Sequence, residues 1–415
     1  MTPTKGLSEI FGNAACFKRR LIFLLHQYPE LSFAEKETAK YIVSQLETID
    51  NMIIQKNVGG KHGVVGILQN GDGPTIAVRA DIDALPIEEK NTHDYVSKYA
   101  GVMDACGHDA HTAMLLGAAH LLAKQFKARE LQGTVKFIFQ PAEETPDEHD
   151  LTRAPYMIQA GVLDDVDSVI ALHVCPWQPV GVIQINNGYS MANVDVFRAP
   201  IQGTGGHGGY PHLAADPLWM LGAILQMFYG TVGRRISPLD TVAASIGKIE
   251  AGAVSNVIPS EVVIEGTLRS YSPEARERLA SEVEQVFKLA ETFGGSYTFE
   301  LEKGEPALNN HMDVNMVIEQ AIRDIYPDME ITWGPFGLGG EDFGYMTEKV
   351  PGAMFFLGCA INDGLDRDLH TDIFDIDERC LPIGTNIFVA TVNRFLKREQ
   401  SSHPLDRKKS IQRGA

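Results

Sequence analysis

Cysteine is scarce here. Five thiols scattered over 415 residues cannot form a disulfide framework, which excludes the small stapled secreted folds and fits a reducing compartment. Positive charge is also in deficit. Against 54 Asp and Glu stand 36 Lys and Arg, a net charge of −18, which disfavours nucleic acid and anionic membrane surfaces as partners. The tail cations Arg407, Lys408, Lys409 and Arg413 are the exception, and their setting reads as a frayed terminus over 401–415. No uninterrupted apolar run reaches the roughly 18 residues that span a bilayer. Leu21–Leu25 is short and leads into His26, Glu30 and Glu35, so it reads as helix and not as a signal peptide. The expectation is a cytoplasmic chain with neither membrane nor nucleic-acid partner, and without internal repeats.

What is present is enough apolar sequence, 44% of 415 residues, for more than one core, so two domains are expected. Helical periodicity covers Ser8–Gln27 and Ala34–Glu47, and short β-rich runs occur at Val64–Leu68, Thr75–Val78, Thr134–Phe139 and Val169–Leu172. The segment Ala110–Lys124 is apolar nearly all round and reads as a buried helix. This alternation predicts an α/β fold, a sheet flanked by helices. Residues 193–304 follow a different order. Strand Val194–Gln202, helix Pro217–Tyr229, strands Thr241–Ile249 and Glu261–Ser270, a helix from Ser272-Pro273 to Gly294-Gly295 and strand Ser296–Leu301 spell β-α-β-β-α-β, a ferredoxin-like α+β domain. Helices Val314–Ile325 and Cys380–Lys397 and strand Met354–Leu357 resume the α/β pattern. The expected organisation is a discontinuous domain, 1–192 with 305–400, interrupted by an inserted domain at 193–304.

In open α/β sheets, sites gather beyond the carboxyl ends of strands. Asp81 and Asp83 follow one strand, Glu143 and Glu144 a second, and His173 a third. In Asp104-Ala-Cys-Gly-His108-Asp109, a thiol and an imidazole two residues apart precede the buried helix, and both suit zinc-like metals. Bland readings stand beside these. Cys106 and His108 read equally as a packed thiol and a helix-capping histidine, Glu143-Glu144 as a solvated acidic loop, and His173 as a satisfied core histidine. His370 lies in a loop before the last helix. His111, His120, His149 and Cys175 are further ligand candidates, while Cys16, Cys359 and Cys380 sit in apolar contexts.

Seven motifs taken in order carry a resemblance: Arg79 to Pro86, Met103 to Asp109, Gln140 to Glu144, Leu172 to Val174, Gly205 to His212, Gly339 to Phe343, and His370 with its acidic run, preceded by Arg19-Arg20, His26 and Pro29 to Ser32. Over residues 17–398 the chain resembles the dinuclear metallopeptidase and aminoacylase superfamily. Its amidohydrolase branch includes hippurate and auxin-conjugate hydrolases, N-acetyl-diaminopimelate deacetylases and thermostable carboxypeptidases. The resemblance implies two divalent metal ions (zinc, manganese, cobalt or nickel) held by Cys106, His108, Glu144, His173 and His370. It implies Glu143 as general acid/base and Asp83 as a carboxylate that orients a ligand. Position 81 is Asp where peptidase relatives carry a ligating histidine. The inserted domain is implied to serve as lid and dimerisation domain, giving a homodimer or higher homo-oligomer. His207 would stabilise the oxyanion, often across a dimer, and Asn256 and Arg269 would hold the substrate's α-carboxylate.

The implied reaction is hydrolysis of the amide of an N-acyl amino acid. A carboxypeptidase or dipeptidase of the same fold is the alternative, and a silent metal-binding scaffold or a Cys106 thiol hydrolase would be of another class. After Glu144 the chain runs Thr-Pro-Asp-Glu-His-Asp-Leu151 instead of the glycine-rich turn common in relatives, a departure that bears on the acyl pocket.

Overall fold

The computed structural model describes residues 23–401. Most of the helix expected over Ser8–Gln27, with Cys16, Arg19 and Arg20, lies outside the described residues, as do the tail cations. Residues 23–27 are helical. No described helix is long and apolar enough to cross a membrane.

The described chain divides into two compact units. One runs to Gly188 and includes Asn309–Gly334 and the chain from Tyr345; the other is Tyr189–Leu308 with Pro335–Gly344. The expected boundaries fell at 192/193 and 304/305. The segment 335–344, with its Gly339-Gly340 pair, packs with the second unit, and hydrophobic periodicity carries no signal for so short an excursion.

The first unit is built on an eight-stranded mixed sheet. Its order is Ile53–Lys56, Val64–Asn70, Gly133–Gln140, Thr75–Asp81, Ser168–Pro179, Gly352–Ala360, Val182–Ile185, Glu330–Trp333. The four strands from Gly133–Gln140 to Gly352–Ala360 are mutually parallel. Every residue of Thr75–Asp81 and Gly133–Gln140 is buried, as parallel strands covered on both faces must be. Two expected strands are longer than their apolar runs. Thr75–Asp81 continues through Arg79 and Asp81 because the two side chains pair at 2.7 Å, offsetting each other's charge. Ser168–Pro179 continues through His173 because Gly352–Ala360 pairs alongside it. Strands Val182–Ile185 and Glu330–Trp333 lie where the sequence carries too short an apolar pattern to read. Helix His108–Lys127 is buried along most of its length, with Ala110, Ala113, Met114, Leu115, Leu116, Ala118 and Ala119 all inaccessible.

In the second unit the strands Val242–Ala251, Glu261–Ser270, Asn193–Gln202 and Ser296–Tyr297 lie side by side in that order, all antiparallel. Numbered along the chain this is 4-1-3-2, with helices Pro217–Arg235 and Pro273–Phe287 as the crossovers, the ferredoxin-like arrangement. Both helices start on side-chain caps. Asp216 accepts the Leu218 N–H at 2.9 Å and Ser272 the Ala275 N–H at 3.1 Å. Phe197 is the centre of the core, its ring 5.7 Å from Phe228, 5.9 Å from Phe287 and 5.8 Å from Phe299. Phe197→Ala is expected to destabilise this unit by about 3–5 kcal/mol. Urea denaturation followed by tryptophan fluorescence, with Trp219 reporting from this unit, measures the loss; an unchanged midpoint contradicts it.

Candidate metal centre

The loop before helix His108–Lys127 is held by a single carboxylate. Asp104 accepts the backbone N–H groups of Gly107, His108 and Asp109 at 2.8, 3.0 and 2.7 Å, the donors that a helix start leaves without partners. Burial, together with the charge of Asp109, pushes the Asp104 carboxyl up to about 7 despite those bonds. Gly107 sits at φ +89, and a Cβ there would lie 2.4 Å from Val174 Cγ2. Only glycine fits the turn that sends Cys106 and His108 towards the strand carrying His173.

Hydrogen bonds decide which ring nitrogens remain available. His108 Nδ1 faces the Asp83 carbonyl at 2.9 Å and His173 Nδ1 faces the Val174 carbonyl at 2.7 Å. A carbonyl only accepts, so both Nδ1 atoms carry a proton and donate it. Each Nε2 is thereby turned into the cluster. His173 Nε2 is 3.4 Å from Cys106 Sγ. His108 Nε2 is buried without a hydrogen-bond partner and lies 3.8 Å from Glu144 Oε1. His370 Nε2 lies 3.3 Å from the same oxygen. Donors at about 2.1 Å around a tetrahedral cation are about 3.4 Å apart, which matches these spacings. Cys106, His108 and His173 form one group of potential ligand atoms within 4.8 Å of one another, Cys106, Glu144 and His370 a second, and His108, Glu143 and Glu144 a third.

His111 is different. Its Nδ1 donates to Asp81 Oδ1 at 2.6 Å and its Nε2 accepts the Val174 N–H at 3.0 Å, so neither nitrogen is left for a metal. Asp81 is equally committed, with Arg79 on its other oxygen at 2.7 Å and the Arg79 Nε bonded to Gln140 at 3.1 Å. Arg79, Asp81 and His111 form a buried polar chain beneath the cluster. His120 lies about 18 Å along the helix from His108 at about 1.5 Å per residue. His149 is in an exposed loop and Cys175 is a buried thiol.

The charges of the cluster draw cations. Burial opposes charge on His108, yet Asp81 and Cys106 hold its pKa well above the ordinary value. A hydrogen bond to the Glu144 carboxylate raises the pKa of His370. Burial and then Glu144 push the Cys106 thiol well up. The negative potential that attracts protons to these groups attracts a divalent ion in the same way. Burial, and His111 beside it, lower His173 to about 3, so that ring is neutral and able to ligate.

Surrounding groups fix the acidic side. Asp83 Oδ2 accepts from Ser32 Oγ at 2.7 Å and from the Glu144 N–H at 3.0 Å, so one carboxylate positions Glu144 while its own carbonyl orients His108. Ala142, just before Glu143, is at φ +44, and His370 is at φ +60. Both are strained conformations for residues other than glycine. Ala142 is held there by Glu35, which accepts its N–H at 2.7 Å and that of Phe33 at 3.0 Å. His370 is held by its N–H bond to the Ala105 carbonyl at 2.8 Å. Glu35 and Asp104 were not singled out from the sequence. Each works through backbone N–H groups, and only Asp104, three residues before the helix N-cap Gly107, carries a local capping signal. The distinctive loop after Glu144 is stapled by Asp147, which accepts the Tyr156 hydroxyl at 2.8 Å and the His149 N–H at 2.9 Å.

In the second unit, His207 is exposed in the bridge Gly206–His207, which pairs with Val257–Ile258. Its Nδ1 accepts the Gly209 N–H at 2.9 Å, so its Nε2 carries the proton as a donor. Asn256 lies beside it, its carbonyl accepting the Gly208 N–H at 2.9 Å. Arg269 is not with them. The His207–Asn256 ladder continues beyond the Glu261 end of strand Glu261–Ser270, whereas Arg269 is near the other end, roughly 26 Å away at about 3.3 Å per residue. There it is partly buried near Glu305 and Asp195, and burial lowers its pKa.

Glu35 gives a test of this framework. Burial and the neighbouring Asp83 charge raise its carboxyl from 4.5 to about 8. Between those values the folded state holds a proton that the unfolded chain has released, so stability falls as pH rises through the window. Glu35→Gln keeps an acceptor oxygen for Phe33 and Ala142 but cannot ionise. Its stability in urea is expected to lose this slope, a difference on the order of a few kcal/mol across the window. A variant with the wild-type slope contradicts the assignment.

Residues 77–394 match the peptidase family M20/M25/M40. An N-acetylcysteine deacetylase of Bacillus subtilis is 38% identical over 378 residues, covering 90% of this chain and 96% of the relative. An Arabidopsis thaliana protein named IAA-amino acid hydrolase ILR1-like 6 is 36% identical over 392 residues, 92% of this chain and 81% of its own. Among solved structures, the YXEP protein of Bacillus subtilis, described as a dinuclear metal binding peptidase from the M20 family, superposes with a TM-score of 0.81 at 33% identity, covering 93% of this chain and 99% of that one. The chain belongs to peptidase family M20/M25/M40.

Proposed function

We infer that the protein is a metal-dependent amide hydrolase that cleaves N-acyl amino acids. The observation that carries this reading is the convergence of His108 Nε2 and His173 Nε2, both turned inward by Nδ1–H bonds to backbone carbonyls, on Cys106, Glu144 and His370. Those five residues are assigned to two divalent cations, with zinc, manganese, cobalt and nickel all suited to a mixed thiolate, imidazole and carboxylate set. When bound, such ions polarise an amide carbonyl and make a neighbouring water acidic.

The remaining chemistry falls to the protein's own groups. Glu143, beside the cluster, takes the proton of the attacking water and delivers it to the leaving nitrogen, which departs as a neutral amine. Glu143 and Glu144 both bring a carboxylate to His108, their ligand atoms lying within 4.8 Å of one another, and we assign proton transfer to Glu143 and metal ligation to Glu144. To the second unit we assign substrate recognition. His207 Nε2–H donates to the developing oxyanion, and Asn256 and Arg269 take the α-carboxylate, Arg269 through its planar fork.

Within one chain His207 with Asn256 and Arg269 occupy opposite ends of a strand, which favours their acting in sites of different subunits of a homodimer. The apolar exposure of this unit agrees: Trp219, Met227, Tyr229, Val254 and Val257 are all more than half exposed. Strand Val242–Ala251 is a sheet edge. A reducing, cytoplasmic setting is consistent with the free thiols of Cys106, Cys175, Cys359 and Cys380.

Glu143→Gln is expected to lower kcat on N-acetyl and N-benzoyl amino acids by about 10²–10⁴-fold with metal content intact. Near-wild-type turnover would show that the base lies elsewhere. His207→Ala is expected to lower kcat by about 10²–10³-fold, again without loss of metal. Parallel loss of metal and rate would contradict an oxyanion role.

A further inference from the structure

A second constellation in the first unit, sharing no residue with the cluster above, has the makings of a cation site. His26, Glu89 and His93 bring potential ligand atoms within 4.8 Å of one another. His26 Nε2 is 3.3 Å and His93 Nε2 3.5 Å from Glu89 Oε1, and His93 Nε2 is 3.8 Å from Asp375 Oδ2. These separations again match the roughly 3.4 Å edge of a tetrahedron with bonds of about 2.1 Å. His26 and Glu89 are almost wholly buried, and Asp375 and His93 are mostly so.

The surrounding bonds leave these atoms to face one another. His26 Nδ1 is committed to Asp109 at 2.7 Å, which turns its Nε2 to Glu89. Glu89 Oε2 is occupied by the Ser97 N–H at 2.7 Å, while Oε1, which faces both histidines, accepts one hydrogen bond from Asn91 Nδ2 at 3.1 Å. Asp375 Oδ1 accepts the Tyr95 hydroxyl at 3.2 Å, leaving Oδ2 towards His93. Both nitrogens of His93 are buried without a hydrogen-bond partner, although its ring stacks on Tyr95 with centroids 3.6 Å apart. A histidine stacked in place with two unsatisfied nitrogens beside two carboxylates costs stability unless something completes it.

We propose that His26, Glu89, His93 and Asp375 bind a third divalent cation, separate from the catalytic pair, through His26 Nε2, Glu89 Oε1, His93 Nε2 and Asp375 Oδ2. Two imidazoles and two carboxylates suit zinc. The ion takes the place of the proton that His26 Nε2 otherwise shares with Glu89. It clasps three segments: the helical residues around His26, the loop of Glu89 to Ser97, and the loop that runs from His370 to Asp375. The last two are already joined where Asn91 Nδ2 donates to the Phe374 carbonyl at 2.8 Å. The site is therefore structural, bracing the loop that carries His370.

The test is zinc content by mass spectrometry after the full chain is stripped, reloaded with zinc and dialysed. Wild type is expected to hold one zinc per chain more than His93→Leu, and Asp375→Asn to show the same loss if the leucine variant folds poorly. Thermal unfolding with added zinc is expected to give a smaller upward shift in both variants than in wild type. Equal zinc content in wild type and in a folded variant overturns the proposal. The zinc that His93→Leu retains reports on the catalytic pair, so failure there is read independently of failure here.

Discussion

Two protons on Nδ1 set the chemistry of the first unit. Because His108 and His173 each donate an Nδ1–H hydrogen bond to a backbone carbonyl, their Nε2 atoms have nowhere to point except into the cluster. The carbonyls are those of Asp83 and Val174, beyond one strand and within another, so the sheet sets the direction of both imidazoles. The Asp104 carboxylate and Gly107 then determine where His108 stands, and Asp83 ties Glu144 to the same strand end. Shifting any of these by an ångström would leave buried ionisable groups facing one another without compensation, which is costly at low dielectric.

The same logic separates neighbouring histidines of identical type. His111 and His173 have ring centroids only 4.7 Å apart, yet one is a structural link in the Arg79–Asp81–His111 chain and the other turns its Nε2 to Cys106 Sγ at 3.4 Å. The difference lies wholly in partners. The Val174 N–H saturates His111 Nε2, whereas the Val174 carbonyl takes the His173 proton. One residue of strand backbone thus assigns both rings.

Much of this was legible in the sequence, for physical reasons. Parallel strands buried on both faces leave continuous apolar runs, so the central strands and the polar residues beyond them, Asp83, Glu143 and Glu144, stood out. A cysteine and histidine around a glycine before an apolar helix stood out in the same way. The β-α-β-β-α-β order was readable because Asp216, Ser272 and Pro273 mark helix starts. What was not legible depends on distant pairing. Arg79 and Asp81 end an apolar run but not the strand, because they neutralise each other. Glu35 reaches Ala142 across more than a hundred residues. The separation of Arg269 from Asn256 follows from strand register, which no local pattern carries.

The most direct test of the central claim is zinc K-edge X-ray absorption on the zinc-loaded protein. One sulfur scatterer at about 2.3 Å is expected, supplied by Cys106 among nitrogen and oxygen neighbours, and it disappears in Cys106→Ser. A wild-type spectrum with only nitrogen and oxygen neighbours, or a sulfur signal that survives the substitution, would contradict it.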